Sequence, residues 1–377
     1  MHKVVFYPVG NGDTSQIILD NGKRLLFDFH HQVQGEDDGH PVIDIKKRLR
    51  DELDNAKRDY FDVVAFTHAD KDHIAGFSEF FELEQADKYK GNGRIKIREL
   101  WVPAAVLLEQ ASNDQQSAEY ILLRQEARKR LRDGKGIQVF SKPEALKDWM
   151  EQNDISFEDR KGLFTDAGTL ARGFTLEADN VEFFCHSPFM KHCDEGDILR
   201  NDASLIFQIR FEVNGYRTDY FSVGDSTSEA LEEIVSTTKF HKRLDRLQWN
   251  LLNVPHHCSY LALSDEKGDK ETEPKDGIKE LLRAGQKDAY IVSLSNPIPD
   301  TADMYKAIQP PHIQARKTYE RYLREVGGRK FYVTMEEPNA SKPHPLEFEI
   351  SERGLRFLGR TITGAAAVIS STPPRAG

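Results

Sequence analysis

The densest group of potential metal ligands lies in Thr67-His68-Ala69-Asp70-Lys71-Asp72-His73, directly after an apolar run at 62–67. Such a run is typical of a strand buried on both faces. Side chains two apart on an extended chain point the same way, so His68 and Asp70 can share one ion. Asp72 and His73 lie where the next helix begins and can reach a second ion. Two ions about 4 Å apart form a centre for hydrolysis. The alternative is a turn in which Asp72 only caps that helix.

Further candidate ligands follow or precede later predicted strands. Asp202 precedes the strand expected at 204–213, and Asp225 follows Val223-Gly224 at the end of the next strand. The pair His256-His257 follows Val254-Pro255 at the end of another. Each signal is weak alone, because aspartate is common in turns and histidine pairs occur on surfaces and in cores. Together with the first motif they predict strand ends that converge on one metal centre.

Charge and composition narrow the range of partners. The 377 residues include 52 Lys plus Arg and 62 Asp plus Glu, for a net charge of −10, so bulk charge does not hold nucleic acid. Basic segments at 128–130, 239–246 and 316–317 could contact a nucleic-acid backbone, although solvated helix faces have the same composition. No apolar run approaches the 18 residues of a membrane-spanning helix. Three cysteines favour a reducing cytoplasm over a disulfide framework.

The elements that must position these residues alternate between strands and helices. A strand at 4–8 precedes a hairpin, with strands at 15–19 and 24–29 around Asp20-Asn21-Gly22. Helical spacing is expected at 42–56, over most of 104–134, at 277–284 and at 313–326. Later strands are expected at 181–185, 204–213, 217–223, 249–254, 289–294, 330–334 and 346–357. The pattern predicts an α/β protein.

Several motifs resemble one family, the metallo-β-lactamase fold, and within it the hydrolase domain of the competence protein ComEC. They are Val9-Gly10-Asn11-Gly12-Asp13, Leu25-Leu26-Phe27-Asp28, the segment 68–73, the segment 201–205, Val223-Gly224-Asp225 and Val254-Pro255-His256-His257. Two features depart from the family pattern. Phe29-His30-His31 stands where the family has Thr-Gly, and Cys258 stands where it usually has Gly.

The resemblance implies an αββα sandwich with the site at one end of its two sheets. We expect one hydrolase domain at 1–360, with a helical insertion at about 104–178, and a flexible tail at 361–377. Residues 104–134 combine an apolar stripe with a basic end, so a helix there is expected to cover the pocket or to pair two protomers. Deleting about 104–175 should then alter substrate range or assembly and leave the metal site intact.

The resemblance also implies a ligand set for two divalent ions, Zn²⁺ or Mn²⁺. His68, Asp70 and Asp202 would hold the first ion, Asp72, His73 and His257 the second, and Asp225 would bridge them. His257 is favoured over His256 as the ligand, and the choice stays open. Asp28 would orient a ligand histidine. Asp72 and Asp225 belong to the catalytic set, with His256 or His312 as proton donor to the leaving group.

The activity expected from this centre is phosphodiester hydrolysis, with a nucleic acid or a nucleotide as substrate. One alternative is hydrolysis of a small ester, lactone or thioester, since the same fold carries many chemistries. Another is a metal-stabilised component of a defence or repair complex, with a partner encoded in the same operon. The sequence leaves pairing of two protomers open.

Overall fold

Fifteen strands form two sheets in the part of the chain that this computed structural model describes, residues 1–108, 118–194 and 201–359. Their bounds are β1 (His2–Phe6), β2 (Ser15–Ile18), β3 (Arg24–Phe27), β4 (Tyr60–Ala65), β5 (Lys96–Pro103), β6 (Ile137–Phe140), β7 (Phe164–Thr165), β8 (Val181–Ser187), β9 (Ile206–Val213), β10 (Tyr216–Ser222), β11 (Trp249–Asn253), β12 (Gly285–Ser293), β13 (Lys330–Val333), β14 (Leu346–Ser351) and β15 (Gly354–Phe357).

Thirteen α-helices occur in the same described residues. Their bounds are α1 (Ile45–Asn55), α2 (Lys71–Ile74), α3 (Phe77–Phe80), α4 (Ala104–Leu108), α5 (Ala118–Asp133), α6 (Glu144–Gln152), α7 (Phe157–Arg160), α8 (Leu176–Asp179), α9 (Met190–Asp194), α10 (Ser228–Phe240), α11 (Asp276–Arg283), α12 (Ala302–Lys306) and α13 (Ile313–Glu325). None of these helices is long and apolar enough to cross a lipid bilayer.

The two sheets are each part antiparallel and part parallel. The first has the order β15-β14-β1-β2-β3-β4-β5-β6-β7, and the second has the order β13-β12-β11-β10-β9-β8. Strands β3 to β7 run parallel, as do β10 to β13. Carboxyl ends of parallel strands meet at one edge of a sheet, which is where ligands bind in such folds.

The sheets pack face to face, and helices cover both outer faces. Aromatic residues dominate the layer between the sheets, where Trp101 lies against Phe183 and Phe207. Outside the first sheet, α1 buries Ile45, Leu49 and Leu53 in a second cluster. Helices α10, α11 and α13 cover the second sheet. The architecture is the αββα sandwich expected from the sequence.

Most elements lie close to their predicted positions. The hairpin of β2 and β3 turns at Asn21-Gly22, and α1, α11 and α13 match the predicted helices within a few residues. The expected strand at 346–357 is two strands, β14 and β15, paired antiparallel. Helix α10 was not predicted at all. The predicted tail at 361–377 lies outside the described residues.

The described residues of the segment 104–178, which are 104–108 and 118–178, contribute to the sandwich core. Strands β6 and β7 extend the first sheet in parallel register. Helix α5 buries Tyr120, Leu123 and Leu131 against it. Within α5, the Arg130 guanidinium lies 2.6 Å from the Glu126 carboxylate, and both side chains are buried. The domain boundaries stay a prediction, but this packing argues against the expectation that the segment can be removed without harm.

Candidate metal centre

The centre is built by loops at the carboxyl ends of parallel strands from both sheets. In the first sheet, Asp28 follows β3, and the loop Thr67–His73 follows β4. In the second, Asp225 follows β10, and His256-His257 follow β11. The fold therefore brings together the strand ends that the sequence pattern singled out.

Asp225 lies at the middle of four imidazole rings. Its carboxylate oxygens are 3.2 Å from His73 Nε2, 3.5 Å from His257 Nε2, and 4.0 Å from Nε2 of both His68 and His256. Gly224 allows this approach, because a Cβ there would lie 2.8 Å from Thr67 Oγ1. A carboxylate surrounded in this way suits a ligand shared between two ions.

The structure groups four buried residues whose ligand atoms all lie within 4.8 Å of one another: Asp13, His73, Asp225 and His257. Around them, Nε2 of His68, Nε2 of His73 and Oδ1 of Asp225 are buried atoms that lack a hydrogen-bond partner among the described residues. Buried polar atoms are rarely left unsatisfied. Imidazole nitrogens and carboxylate oxygens are ligands of Zn²⁺ and Mn²⁺. The donor set therefore fits divalent cations.

His73 is held from behind by Asp28. The Asp28 carboxylate lies 2.9 Å from His73 Nδ1 and accepts hydrogen bonds of 2.7 Å from both the backbone N–H and the hydroxyl of Thr67. A carboxylate on Nδ1 fixes the tautomer and directs Nε2 at a metal. This is the supporting position expected for Asp28 from the sequence.

The two adjacent histidines have different surroundings. His257 is 3% exposed, its Nδ1 donates to the Leu294 carbonyl at 2.9 Å, and its Nε2 lies 3.0 Å from Asp72 Oδ2. His256 is 28% exposed at the rim. A fixed Nδ1 proton leaves the His257 Nε2 lone pair for a metal, so the geometry favours His257 as the ligand.

The loop that carries this pair is strained. His256, His257 and Cys258 have φ values of 47°, 50° and 68°, three consecutive non-glycine residues in the left-handed region. Each such residue costs on the order of 1–3 kcal/mol and persists where surrounding structure enforces it, often at active sites. Glycine adopts this conformation freely, so a cysteine at position 258 adds to the strain.

The electrostatics of the cluster show a surplus of buried negative charge. Burial disfavours a protonated His73, yet the carboxylates of Asp225 and Asp28 raise its pKa well above the ordinary value. Asp225 and Asp13 do the same to the pKa of His257. Burial lowers the pKa of His68 to about 4, so its imidazole is neutral and able to bind a metal. A cation would balance the surplus without these protons.

The remaining predicted ligands lie around this cluster. Asp72 contacts His257, as described, and the Asp70 carboxylate is 3.7 Å from His68 Nε2. Asp202 is not in the four-residue cluster, and its carboxylate accepts a hydrogen bond of 2.5 Å from Thr227, the residue that caps α10. The metal roles of these residues stay predictions.

His312, predicted as an alternative proton donor, is engaged by the backbone on both ring nitrogens. Nδ1 accepts from the Tyr260 N–H at 3.4 Å, and Nε2 contacts the Ile308 carbonyl at 3.3 Å. Burial lowers its pKa. Through these contacts His312 connects the segments that carry Tyr260 and Ile308. Its role as a proton donor stays a prediction.

Asp13 is the member of the cluster that the sequence analysis missed as a candidate ligand. Its Oδ1 lies 3.4 Å from His257 Nδ1, and its backbone N–H donates to the Asp72 carbonyl at 3.1 Å. A Cβ at the preceding Gly12 would lie 1.6 Å from His30 Nδ1, so that position requires glycine. The feature of the sequence that could have identified Asp13 is the glycine turn Gly10-Asn11-Gly12-Asp13, which follows β1.

Most cations of the three basic segments have partners inside the protein. Arg130 pairs with Glu126, as described, and Lys129 pairs with Asp133. Arg316 lies 2.9 Å from both Glu320 and Glu336, and Lys317 lies 2.9 Å from Asp300. The segments at 128–130 and 316–317 thus have structural partners, which weakens the hypothesis that they bind nucleic acid.

Comparisons with known proteins reveal similarity only to solved structures. No family model matches the chain, and no curated protein matches it. The structures include the metallo-β-lactamase fold protein YhfI from Bacillus subtilis, with 11% identity, 92% of this chain and 99% of that chain covered, and a TM-score of 0.39. CmlA, a diiron β-hydroxylase from Streptomyces venezuelae, has 12% identity, coverage of 88% and 52%, and a TM-score of 0.40. A diphosphatase from the PhnP family has 11% identity, coverage of 92% and 98%, and a TM-score of 0.33.

These similarities are low and carry no argument about activity. The functional argument rests on the geometry of the cluster. The closer resemblance to the ComEC hydrolase domain stays a prediction.

Proposed function

We propose that this chain is a hydrolase with two divalent metal ions and that its substrates are phosphodiesters of nucleic acids or nucleotides. The observation that supports it most is the position of Asp225, a buried carboxylate within 4.0 Å of four imidazole rings. Two ion-binding groups can share it. In this proposal His68 and Asp70 would hold one ion, and Asp72, His73 and His257 would hold the other.

Bound ions would supply an activated water and neutralise the charge that develops on phosphate oxygens. The chain's own residues hold the geometry. Asp28 and the Leu294 carbonyl fix the Nδ1 sides of His73 and His257, so that both rings present Nε2 to the centre. Asp13 adds a further carboxylate beside His257.

His256 is the residue best placed to move a proton. Its Nε2 is 4.0 Å from Asp225, and the side chain is partly exposed, so it can reach both the centre and a substrate. An imidazole at this position can protonate a leaving oxygen. The buried His257, by contrast, has Nδ1 held by the Leu294 carbonyl and presents Nε2 as a metal ligand.

Metal analysis and a reporter panel test the proposal together. Purified protein is loaded with Mn²⁺, Zn²⁺ or Mg²⁺, its metal content is measured, and it is assayed on bis-p-nitrophenyl phosphate, a lactone and a β-lactam. We expect two ions per chain and turnover of the phosphodiester. Hydrolysis of the lactone without hydrolysis of the phosphodiester would mean that the substrates are small esters or lactones. Protein that retains no metal would contradict the proposal that the chain is a metal-dependent hydrolase.

The metal panel also addresses ion identity, and a nuclease assay on DNA and RNA addresses the natural substrate. We propose Mn²⁺ or Zn²⁺ because the ligand set mixes carboxylates with imidazoles. If metal binds but no reporter is hydrolysed, a metal-stabilised component of a larger complex becomes the better account.

A further inference from the structure

One loop of the second sheet borders the metal-ligand cluster. This segment, called the 294–312 loop, joins β12 to α13 and includes the short helix α12. It begins at Leu294, whose carbonyl accepts from His257 Nδ1 at 2.9 Å. It ends at His312, whose backbone N–H donates to the Cys258 carbonyl at 3.0 Å. Both ends of the loop therefore touch the segment that carries the histidine pair.

Asn11 connects the interior of this loop to the turn that carries Asp13. Its side-chain Nδ2 donates to the Pro310 carbonyl at 2.8 Å, and its Oδ1 accepts from the Asn296 N–H at 2.8 Å. One carboxamide thus spans both arms of the loop, using a donor and an acceptor at once. Asn11 lies two residues before Asp13, so the loop and the cluster share one support.

The backbone next to Asn11 is shaped for this contact. Gly10 has a φ of 79°, in the left-handed region, and a Cβ there would lie 2.8 Å from Gln32 Nε2 and 3.4 Å from Asn296 Oδ1. The loop is also held elsewhere: Glu336 and Arg316 bond the backbone of Ile298, and Lys317 pairs with Asp300. Lys267 donates to the Ala307 carbonyl. Asn11 is the side chain that ties the loop to the first sheet's glycine turn.

We propose that Asn11 is a positioning residue that holds the 294–312 loop as a fixed wall of the substrate cleft and so determines how well extended substrates bind. This inference rests on the proposed hydrolase function. The loop presents Ile308, 85% exposed, beside His312. A substrate much larger than the scissile group would contact this wall, whereas a small reporter would contact mainly the metal centre.

The kinetic test compares Asn11→Ala with wild type on two phosphodiesters, bis-p-nitrophenyl phosphate and a single-stranded oligonucleotide. Asn11→Ala removes both hydrogen bonds, and the loss of each weakens an interaction by about five-fold, so we expect the oligonucleotide KM to rise by roughly five-fold or more. The kcat, the metal content and the small-reporter kinetics should stay near wild type. Asn11→Asp keeps the acceptor for Asn296 but sets a carboxylate oxygen against the Pro310 carbonyl, so its rise should equal or exceed that of Asn11→Ala.

Asn21→Ala is the matched control. Asn21 also lies in a glycine turn and also donates and accepts with its side chain, but at the other end of β3 from Asp28. Its oligonucleotide KM should equal that of wild type. A rise of the same size in Asn21→Ala would mean that general loss of stability, not the loop, causes the effect.

Amide hydrogen exchange tests the contact independently of any activity. In Asn11→Ala, the amide of Asn296 and its neighbours in the loop should exchange roughly ten-fold faster. Unchanged exchange there would overturn the proposal. So would equal loss of small-reporter kcat and metal, since Asn11 would then act on the cluster through Asp13. If wild-type protein hydrolyses no phosphodiester, the proposed function fails, while the exchange result still decides whether Asn11 holds the loop.

Discussion

Asp225 contacts histidines assigned to both ions of the proposed centre, so its replacement is the sharpest test of a shared ligand. Asp225→Asn keeps the shape but removes the charge that faces four imidazoles. We expect kcat to fall by about 10²-fold or more and both ions to bind more weakly. Elemental analysis and steady-state kinetics measure this.

The control for that variant is Asp51→Asn, which alters an exposed aspartate paired with Lys47 on α1. It should match wild type in metal content and rate. Full turnover in Asp225→Asn would move the bridge to another residue, with Asp13 the next candidate because it lies in the same cluster.

A ligand histidine and a proton donor should fail in different ways. His257→Ala removes a buried imidazole beside Asp72, so metal content should fall and excess Mn²⁺ should restore part of the rate. His256→Ala removes a rim imidazole, so both ions should stay while poor leaving groups react more slowly, by about 10²-fold or more.

Nitrophenolate leaves without a proton, so bis-p-nitrophenyl phosphate is the built-in control for His256→Ala. Its hydrolysis should change much less than that of an alkyl phosphodiester. If His256→Ala loses metal and His257→Ala keeps it, His256 is the metal ligand and His257 is the proton donor. Loss of metal from both would leave the proton donor to be found elsewhere, with His312 next in line.

At the scale of elements, α5 is where the structure changes the expectation most. Arg130 is 4% exposed and donates to the Ile97 and Gly136 carbonyls as well as to Glu126. Arg130→Ala leaves the buried Glu126 carboxylate without its cation, with only the Gln85 N–H among the described residues still bonded to it, which costs roughly 3–5 kcal/mol. Urea unfolding should show this loss, and deletion of 104–175 should abolish cooperative unfolding.

Arg132→Ala on the same helix is the matched control, because Arg132 is exposed. It should change the free energy of unfolding by about 0.5 kcal/mol or less. If the protein without residues 104–175 still folds and keeps its metal, the segment 104–178 is a separable insertion, as the sequence predicted.

The predictable elements are those whose signals are local. The hairpin follows from Asn21-Gly22, and β4 follows from a short apolar run that the fold buries. Helix α10 carried a local signal too, since Ala230, Leu231, Ile234 and Val235 have helical spacing and Thr227 caps the first turn. That helix could have been found from the sequence.

A helix was expected over most of 104–134, and a glycine turn marked the segment of Asp13, but the place of Asp13 in the cluster and the buried basic side of α5 could not be found in the same way. Asp13 matters because the fold sets it beside His257, far along the chain, and no local pattern encodes that distance. In the sequence, the basic residues at 128–130 of α5 have the composition of a solvent-exposed helix face. Only tertiary packing shows that Arg130 turns inward to bond carbonyls of a neighbouring strand.

At the scale of the whole molecule, the centre joins the two sheets. Asp28 and the 67–73 loop belong to the first sheet, and Asp225 and His257 belong to the second. Anything that binds the cluster therefore holds the halves of the sandwich together. A ligand that binds only the folded protein raises its stability by mass action, by about 2.7 kcal/mol at 100 times its Kd.

This coupling predicts a pH-dependent effect of metal removal. In metal-free protein, carboxylates raise the pKa of His73 and His257 well above the ordinary value, so protons partly balance the buried negative charge. Histidines with a raised folded pKa stabilise the protein fully below their unfolded pKa of about 6.5 and lose this contribution as pH rises through the folded pKa. Metal binding needs neutral imidazoles and releases the protons, so metal affinity rises with pH.

As pH rises, the metal-free protein loses stability and metal binds more tightly, so both changes increase the stabilisation that metal provides. The difference in melting temperature between Mn²⁺-loaded and chelator-treated protein should grow from about pH 6 to about pH 8.5. Thermal unfolding at fixed free metal measures it, and Asp225→Asn should flatten the trend because it removes the carboxylate that raises both pKa values. A difference that is constant or shrinks with pH would mean that these two histidines do not exchange protons for metal, and the ligand assignment for the second ion would have to change.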